Sequence, residues 1–320
     1  MPPQSVPPYV PPDYQTRQLL GSGQTSLVYL AEHPRRGPVA LKLPRAELQE
    51  RPLLRRMFEN EVQMTLALKH PNVVAALDGH PTGERAFLAL EYCPGGTLDQ
   101  LLLERGRLPL ETAYRLILDV ARGLEHSHGA KVLHRDIKPA NVFLSEGSGP
   151  GEGLGAKLGD FGTGVYLREV TTERVGTAFY MAPEIFRGES ATPKSDIYSL
   201  GILAFEVIAG VRPFAGESVG ELMMAHLSGL PKGLRHLRPE LPTAVGGVVS
   251  RAMAREPEKR YAGVSEFVAA FAKATGSSLA EEPGAPLVGR ASRTKDAPAG
   301  GTKEDRGARG LARWFGKKKA

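Results

Sequence analysis

Gly21 and Gly23 stand in the spacing G-x-G within LLGSGQTSLVYLAEH, between Leu19 and His33, with Ser26 where a third glycine is expected. Backbone freed of side chains can cradle a phosphate, or it can supply the positive φ of a tight hairpin turn. The stretch alone leaves both readings open. Lys42 follows in VALKL and Glu61 lies further on, each an ordinary charge by itself. His134–Asn141 reads HRDIKPAN, Asp160–Gly162 reads DFG, and Ala182–Glu184 reads APE. Asp136, Asp160 and Asn141 are oxygen donors that can take a proton or a hard divalent cation. Taken singly, the two aspartates are also ordinary turn or capping residues. Their order along one chain carries the information.

Two kinds of element must position these residues. From Tyr14 to about Glu91 the pattern is strand-like at Gln18–Leu20, Ser26–Ala31, Val39–Lys42 and Ala86–Glu91. One helix interrupts it, Leu53–Lys69, with apolar Leu54, Met57, Phe58, Val62 and Leu66, stopping before Pro71. After Pro94-Gly95-Gly96, helical patterns dominate at Leu98–Glu104, Leu110–His128, Lys194–Ala209, Val219–Leu227, Leu241–Ala254 and Ser265–Ala274. Between them lie strand-like Asn141–Leu144 and Lys157–Gly159, joined by the glycine-rich SEGSGPGEGLG, which reads as a long hairpin loop. The expectation is an α+β chain with a small strand-rich lobe, 14–92, a hinge near Cys93–Gly96, and a larger helical lobe, 93–275. The proline-punctuated residues 1–13 and the Gly-, Ala-, Pro- and charge-rich residues 276–320 read as disordered.

The totals narrow the function class. A single cysteine, Cys93, excludes an intramolecular disulfide and fits a reducing compartment. The N-terminus lacks the charged start and apolar run of a secretory signal, and LGILAFEVIAGV at Leu200–Val211 is too short to span a bilayer and carries Glu206. A cytoplasmic protein is expected. The net charge of +6 points to no nucleic-acid partner, because residues 276–320 carry ten Lys/Arg against five Asp/Glu, leaving the body with a net of +1.

H-R-D-x-x-x-x-N, then D-F-G, then A-P-E, behind a G-x-G and a V-A-x-K, together resemble the eukaryotic-type (Hanks-type) Ser/Thr protein kinase family, including its bacterial members. The resemblance covers about Tyr14 to Ala274 and implies the two-lobed protein kinase fold, with ATP and Mg²⁺, or Mn²⁺ in its place, as cofactors and proteins as substrates. It implies that Lys42 contacts the nucleotide phosphates, held by Glu61, and that Asn141 and Asp160 bind the metal. Asp136 would orient the acceptor hydroxyl or take its proton, and Lys138 would neutralise the transferred phosphoryl group. Leu20, Gly21, Ser22, Gly23, Val28 and Ala40 would line the nucleotide site. Leu90 would be the gatekeeper, and Glu91 and Cys93 would offer backbone groups to adenine. By the same resemblance Asp196 braces the catalytic loop and Glu184 pairs with Arg260.

Lys138 in DIKPAN and Thr177 in GTAFYMAPE match the Ser/Thr rather than the tyrosine pattern, although Ala178 stands where the family commonly has proline. Arg135 would receive a phosphate on the activation loop, where Thr171 and Thr172 are the expected autophosphorylation sites. Thr65, one turn after Glu61, occupies a position where active kinases usually carry an apolar residue. The terminal RGARGLARWFGKKKA sets six basic residues around Leu311, Trp314 and Phe315, a composition suited to weak contact with an anionic membrane or an acidic partner, or to a simply solvated end. Two rival classes are weaker. A pseudokinase scaffold would normally have lost Lys42, Asp136 or Asp160, and small-molecule kinases generally lack the APE and SDIYSLG segments.

Overall fold

The computed structural model describes residues 9–46, 48, 51–146, 153–161 and 175–277. The chain divides into two units, Met1–Ser278 and Leu279–Ala320, and the described residues belong to the first. The basic tail, with Leu311, Trp314 and Phe315, therefore lies outside the described residues, as do Thr171 and Thr172.

Strands β1 (Gln15–Ser22), β2 (Ser26–His33) and β3 (Gly37–Pro44) meander antiparallel. β4 (Ala76–His80) and β5 (Phe87–Glu91) complete a sheet of order β1-β2-β3-β5-β4. Alternation along β3 sorts its side chains. Val39, Leu41 and Leu43 pack with Tyr14, Ala31 and Ala89 on one face, which turns Ala40 and Lys42 to the other. On that second face Lys42 lies opposite Val28 and Leu88, and Ala40 lies opposite Leu90.

Helix α1 (Pro52–Ala67) covers the same face. Its buried residues Phe58, Glu61, Val62 and Thr65 fall at i, i+3, i+4 and i+7, a single stripe. Glu61 therefore sits inside an apolar seam, facing the strand that carries Lys42. The helix ends two residues earlier than its sequence pattern suggests, because Leu68 turns extended.

The second lobe contains α2 (Leu98–Arg105), α3 (Leu110–Gly129), the hairpin β6 (Val142–Glu146) and β7 (Leu154–Leu158), α4 (Val175–Ala178) and α5 (Pro183–Phe186). It continues with α6 (Pro193–Ala209), α7 (Val219–Ser228), α8 (Leu234–Leu237), α9 (Thr243–Ala252) and α10 (Val264–Thr275). α6 is apolar on nearly every side and buried from Ser195 to Ala209, so it forms the lobe's axis. Among the described residues no helix is long and apolar enough to cross a membrane.

Three departures from the sequence pattern have physical causes. β4, absent from the sequence reading, has little alternation of its own and is held by β5 through pairs such as Gly79–Leu88. β7 runs over Leu154–Leu158 rather than Lys157–Gly159, since Leu154 and Gly155 pair with Glu146 and Ser145. β1 begins at Gln15 because the register with β2 continues to Gln15–Glu32.

Candidate active site

The HRDIKPAN segment lies between α3 and β6 and is fixed by one buried carboxylate. Asp196, in the first turn of α6, accepts hydrogen bonds from His134 N at 2.9 Å and Arg135 N at 2.8 Å, and contacts His128 Nε2 at 2.8 Å. These bonds hold Arg135 at φ +66°, a left-handed conformation costly for a side-chain-bearing residue. His134 is fully buried and its Nε2 lies 2.9 Å from Gly159 O. Its Nδ1 accepts from Asp136 N at 3.3 Å. A carbonyl can only accept and an amide only donate, so the imidazole carries its proton on Nε2 and is neutral. Burial, opposed by Asp196 and Asp136, holds its pKa below the usual histidine range. His134 also packs on Phe161, ring centroids 4.7 Å apart.

Asp136 gathers donors. Lys138 Nζ lies 2.7 Å from Oδ2, Asn141 Nδ2 donates to Oδ2 at 2.9 Å and to the backbone oxygen at 2.8 Å, and the Thr177 hydroxyl donates to Oδ1 at 3.2 Å. Lys138 also donates to Thr177 Oγ1 at 3.0 Å. The amide of Asn141 is thereby oriented with nitrogen toward Asp136, which presents its oxygen to the opposite side.

Lys42 Nζ reaches across the lobes. It pairs with Glu61 and, 118 positions away, with Asp160 Oδ1 at 3.1 Å. Burial alone would lower the lysine pKa, but Asp160 and Glu61 outweigh it and hold the ammonium above its ordinary range. For Asp160, burial pushes upward and the charge and hydrogen bond of Lys42 pull harder downward, keeping its pKa below the usual carboxylate value. Asp160 adopts φ +61°, directly before Phe161.

The glycine-rich turn resolves its ambiguity. Neither Gly21 nor Gly23 takes a positive φ. A Cβ on Gly21 would meet nothing within 4 Å, and one on Gly23 would meet only Ser26 O at 3.7 Å. The β1–β2 hairpin forms without a positive φ at either glycine, and a side chain at Gly21, which pairs with Val28, would stand in open space. Arg45 clasps this turn, its Nε donating to Gly23 O at 2.7 Å and its guanidinium to Ser22 Oγ. Arg45 had no signal in the sequence, where it is one basic residue among several.

Leu20 lies on β1 beside the turn, and Leu90 and Glu91 end β5 at the hinge. Cys93 is buried, and Gly95 packs so closely on β6 that a Cβ would lie 2.6 Å from Leu144 O. Thr65 is buried and its hydroxyl donates to Glu61 O at 2.7 Å, satisfying itself within the helix. Glu184 and Arg260 form a bidentate pair at 2.7 Å. The structure thus brings Lys42, Glu61, Asp136, Lys138, Asn141, Asp160 and Thr177 together, and Arg135 lies beside them, whereas Thr171 and Thr172 fall outside the described residues.

A family model, protein kinase domain, matches residues 14–269. The chain belongs to the protein kinase family. It is 32% identical over 294 residues to serine/threonine-protein kinase PknB of Mycobacterium leprae, covering 87% of this chain and 46% of that one. It is 33% identical over 289 residues to PknB of Mycobacterium tuberculosis, with 87% and 45% covered. PknH of Mycobacterium tuberculosis matches at 33% over 262 residues, with 80% and 41% covered. The chain spans about half the length of these curated relatives.

The cleft fits a metal–nucleotide complex on its own chemistry. Asp160 and the oriented Asn141 supply hard oxygen donors suited to a divalent cation. Lys42 supplies a cation that stays charged despite burial, and the glycines leave room for backbone to approach phosphate.

Proposed function

We propose that the chain is a serine/threonine protein kinase, transferring the γ-phosphoryl group of ATP to hydroxyls of protein substrates. The observation that carries this reading is the convergence of Lys138, Asn141 and Thr177 on Asp136, in the same cleft as the Lys42–Glu61–Asp160 chain. Bound Mg–ATP supplies the phosphoryl group and its electrophilic activation. Asp136 orients the acceptor hydroxyl and takes its proton, a role typically worth ~10²–10⁴ in rate. Lys138 offsets charge on the transferred group. Lys42, fixed by Glu61, faces the nucleotide phosphates, and Asp160 with Asn141 would hold the metal. The Lys138–Thr177 bridge supports Ser/Thr selectivity, because the two residues that match the Ser/Thr pattern in the sequence both contact Asp136 and each other.

Autophosphorylation at Thr171 or Thr172, pairing with Arg135, belongs to the same proposal, as does a cytoplasmic setting where ATP is abundant. The test is incubation with labelled ATP and Mg²⁺, or Mn²⁺, and a Ser/Thr-containing protein, beside Asp136→Asn. Phosphate incorporation by the wild type alone is expected, with phosphopeptides covering Thr171 and Thr172. Equal labelling by both chains, or none by either, would overturn the reading.

A further inference from the structure

Glu91 enters the sequence reading only through its backbone, yet its side chain organises the back of the hinge. Oε1 accepts from Ala75 N at 2.7 Å, and Glu91 N donates to Ala75 O at 2.9 Å. Lys157 Nζ grips the same carboxylate with both oxygens, at 2.8 and 2.9 Å. Lys157 lies on β7 between inward-facing Ala156 and Leu158 and points to the other side of the strand, where packing does not require a lysine. The segment between is stitched to β7 as well. Val74 N donates to Leu158 O and Leu158 N to Asn72 O, each at 2.9 Å, and Asn72 Nδ2 to Ala156 O at 3.1 Å.

One carboxylate therefore ties together the hinge, the segment following α1, and the strand that ends two residues before Asp160. The side chains of Lys157 and Glu91 are 20% and 26% exposed, so the pair is sheltered without being desolvated. The bland alternative is a surface ion pair, which contributes little on average. Against it stand the two-oxygen grip and the shared backbone donor, which fix the Glu91 carboxylate in one place.

We propose that Lys157 is a positioning residue for nucleotide binding, acting through Glu91 to set the peptide groups of Glu91–Cys93 relative to Asp160. This inference rests on reading the cleft as a nucleotide site. Lys157 touches no reacting atom. It holds the adenine-facing hinge and the metal-binding aspartate in register, so its loss falls on affinity rather than on the chemical step.

The test uses the full chain and Lys157→Met, which keeps the aliphatic stem and removes the charge. Equilibrium titration with a fluorescent ADP analogue and Mg²⁺ gives Kd, steady-state kinetics give KM for ATP and kcat, and thermal melting without nucleotide reports the fold. Kd and KM are expected to rise roughly three- to tenfold, with kcat within about twofold and Tm nearly unchanged. Lys157→Arg, which keeps the charge, is expected to restore Kd to near wild type. Glu91→Gln should weaken binding similarly, and adding Lys157→Met to it should cost little more. A Lys157→Met chain that binds nucleotide like the wild type would overturn the inference alone, as would a loss of binding that follows a loss of Tm and is not rescued by arginine. A wild-type chain that binds no nucleotide would overturn the kinase reading and this inference with it.

Discussion

Arg260→Met removes one member of the most deeply buried ion pair described in this fold, and its cost can be worked from the contacts. Arg260 and Glu184 are 1% and 2% exposed. The guanidinium donates to both Glu184 oxygens at 2.7 Å and to the carbonyls of Ala254, Lys194 and Arg255 at 2.7, 2.8 and 3.0 Å. Methionine keeps much of the volume but strips the Glu184 carboxylate of its counter-charge, leaving neutral donors such as Ser195 Oγ at 2.8 Å. Stranding a buried charge costs ~3–5 kcal/mol, and at about 2–4 °C per kcal/mol for a domain this large, Tm falls by roughly 10 °C. The pH dependence is sharper than the shift itself. Burial pushes the Glu184 carboxyl up, but the hydrogen bonds and charge of Arg260 outweigh it, so its folded-state pKa lies below the ordinary value. In the wild type that stabilisation is complete above the unfolded pKa and is lost only as pH falls through the lower, folded value. In Arg260→Met the uncompensated burial raises the folded pKa instead, and protonation then relieves the variant. The Tm gap, followed by calorimetry or dye-based melting, is expected to be widest near pH ~7.5 and to narrow toward pH ~5. A gap below ~2 °C, or one that does not change with pH, would refute the argument.

Other positions test the same physics. Gly123→Ala sets a Cβ 2.3 Å from Asn72 O, so α3 and the segment before β4 must part, costing ~1–3 kcal/mol by denaturant titration. Lys131 sits at φ +60°, and Lys131→Gly is expected to stabilise by ~0.5–1 kcal/mol in the same assay, the relieved strain exceeding the added unfolded-state entropy. The Cys93 thiol is pushed up to about 11 by burial and the neighbouring Glu91 charge. It should therefore resist thiol reagents near neutral pH in the native chain and react on unfolding, as read by absorbance of a disulfide reagent.

The sequence by itself determined what is local. Order and spacing in HRDIKPAN, DFG and APE marked the protein kinase family, and 3.6-residue periodicity placed α1, α3 and α6 to within a few residues, since those signals are written in neighbouring side chains. Even Glu61 was legible as a helical residue, though not as one buried in an apolar stripe facing β3. What only the tertiary structure decided involves partners far apart in the chain. Lys42 meets Asp160 across 118 positions, Lys157 meets Glu91 across 66, and Arg238 donates to Leu108 O across 130. β4 likewise exists as a strand because β5 offers it an edge. The glycines at 21 and 23 show the same division. Their presence was plain, but that neither serves the turn's backbone conformation emerged only from φ and from the open space above them. A side chain's type fixes which bonds it can make, and long-range packing decides which group arrives to make them.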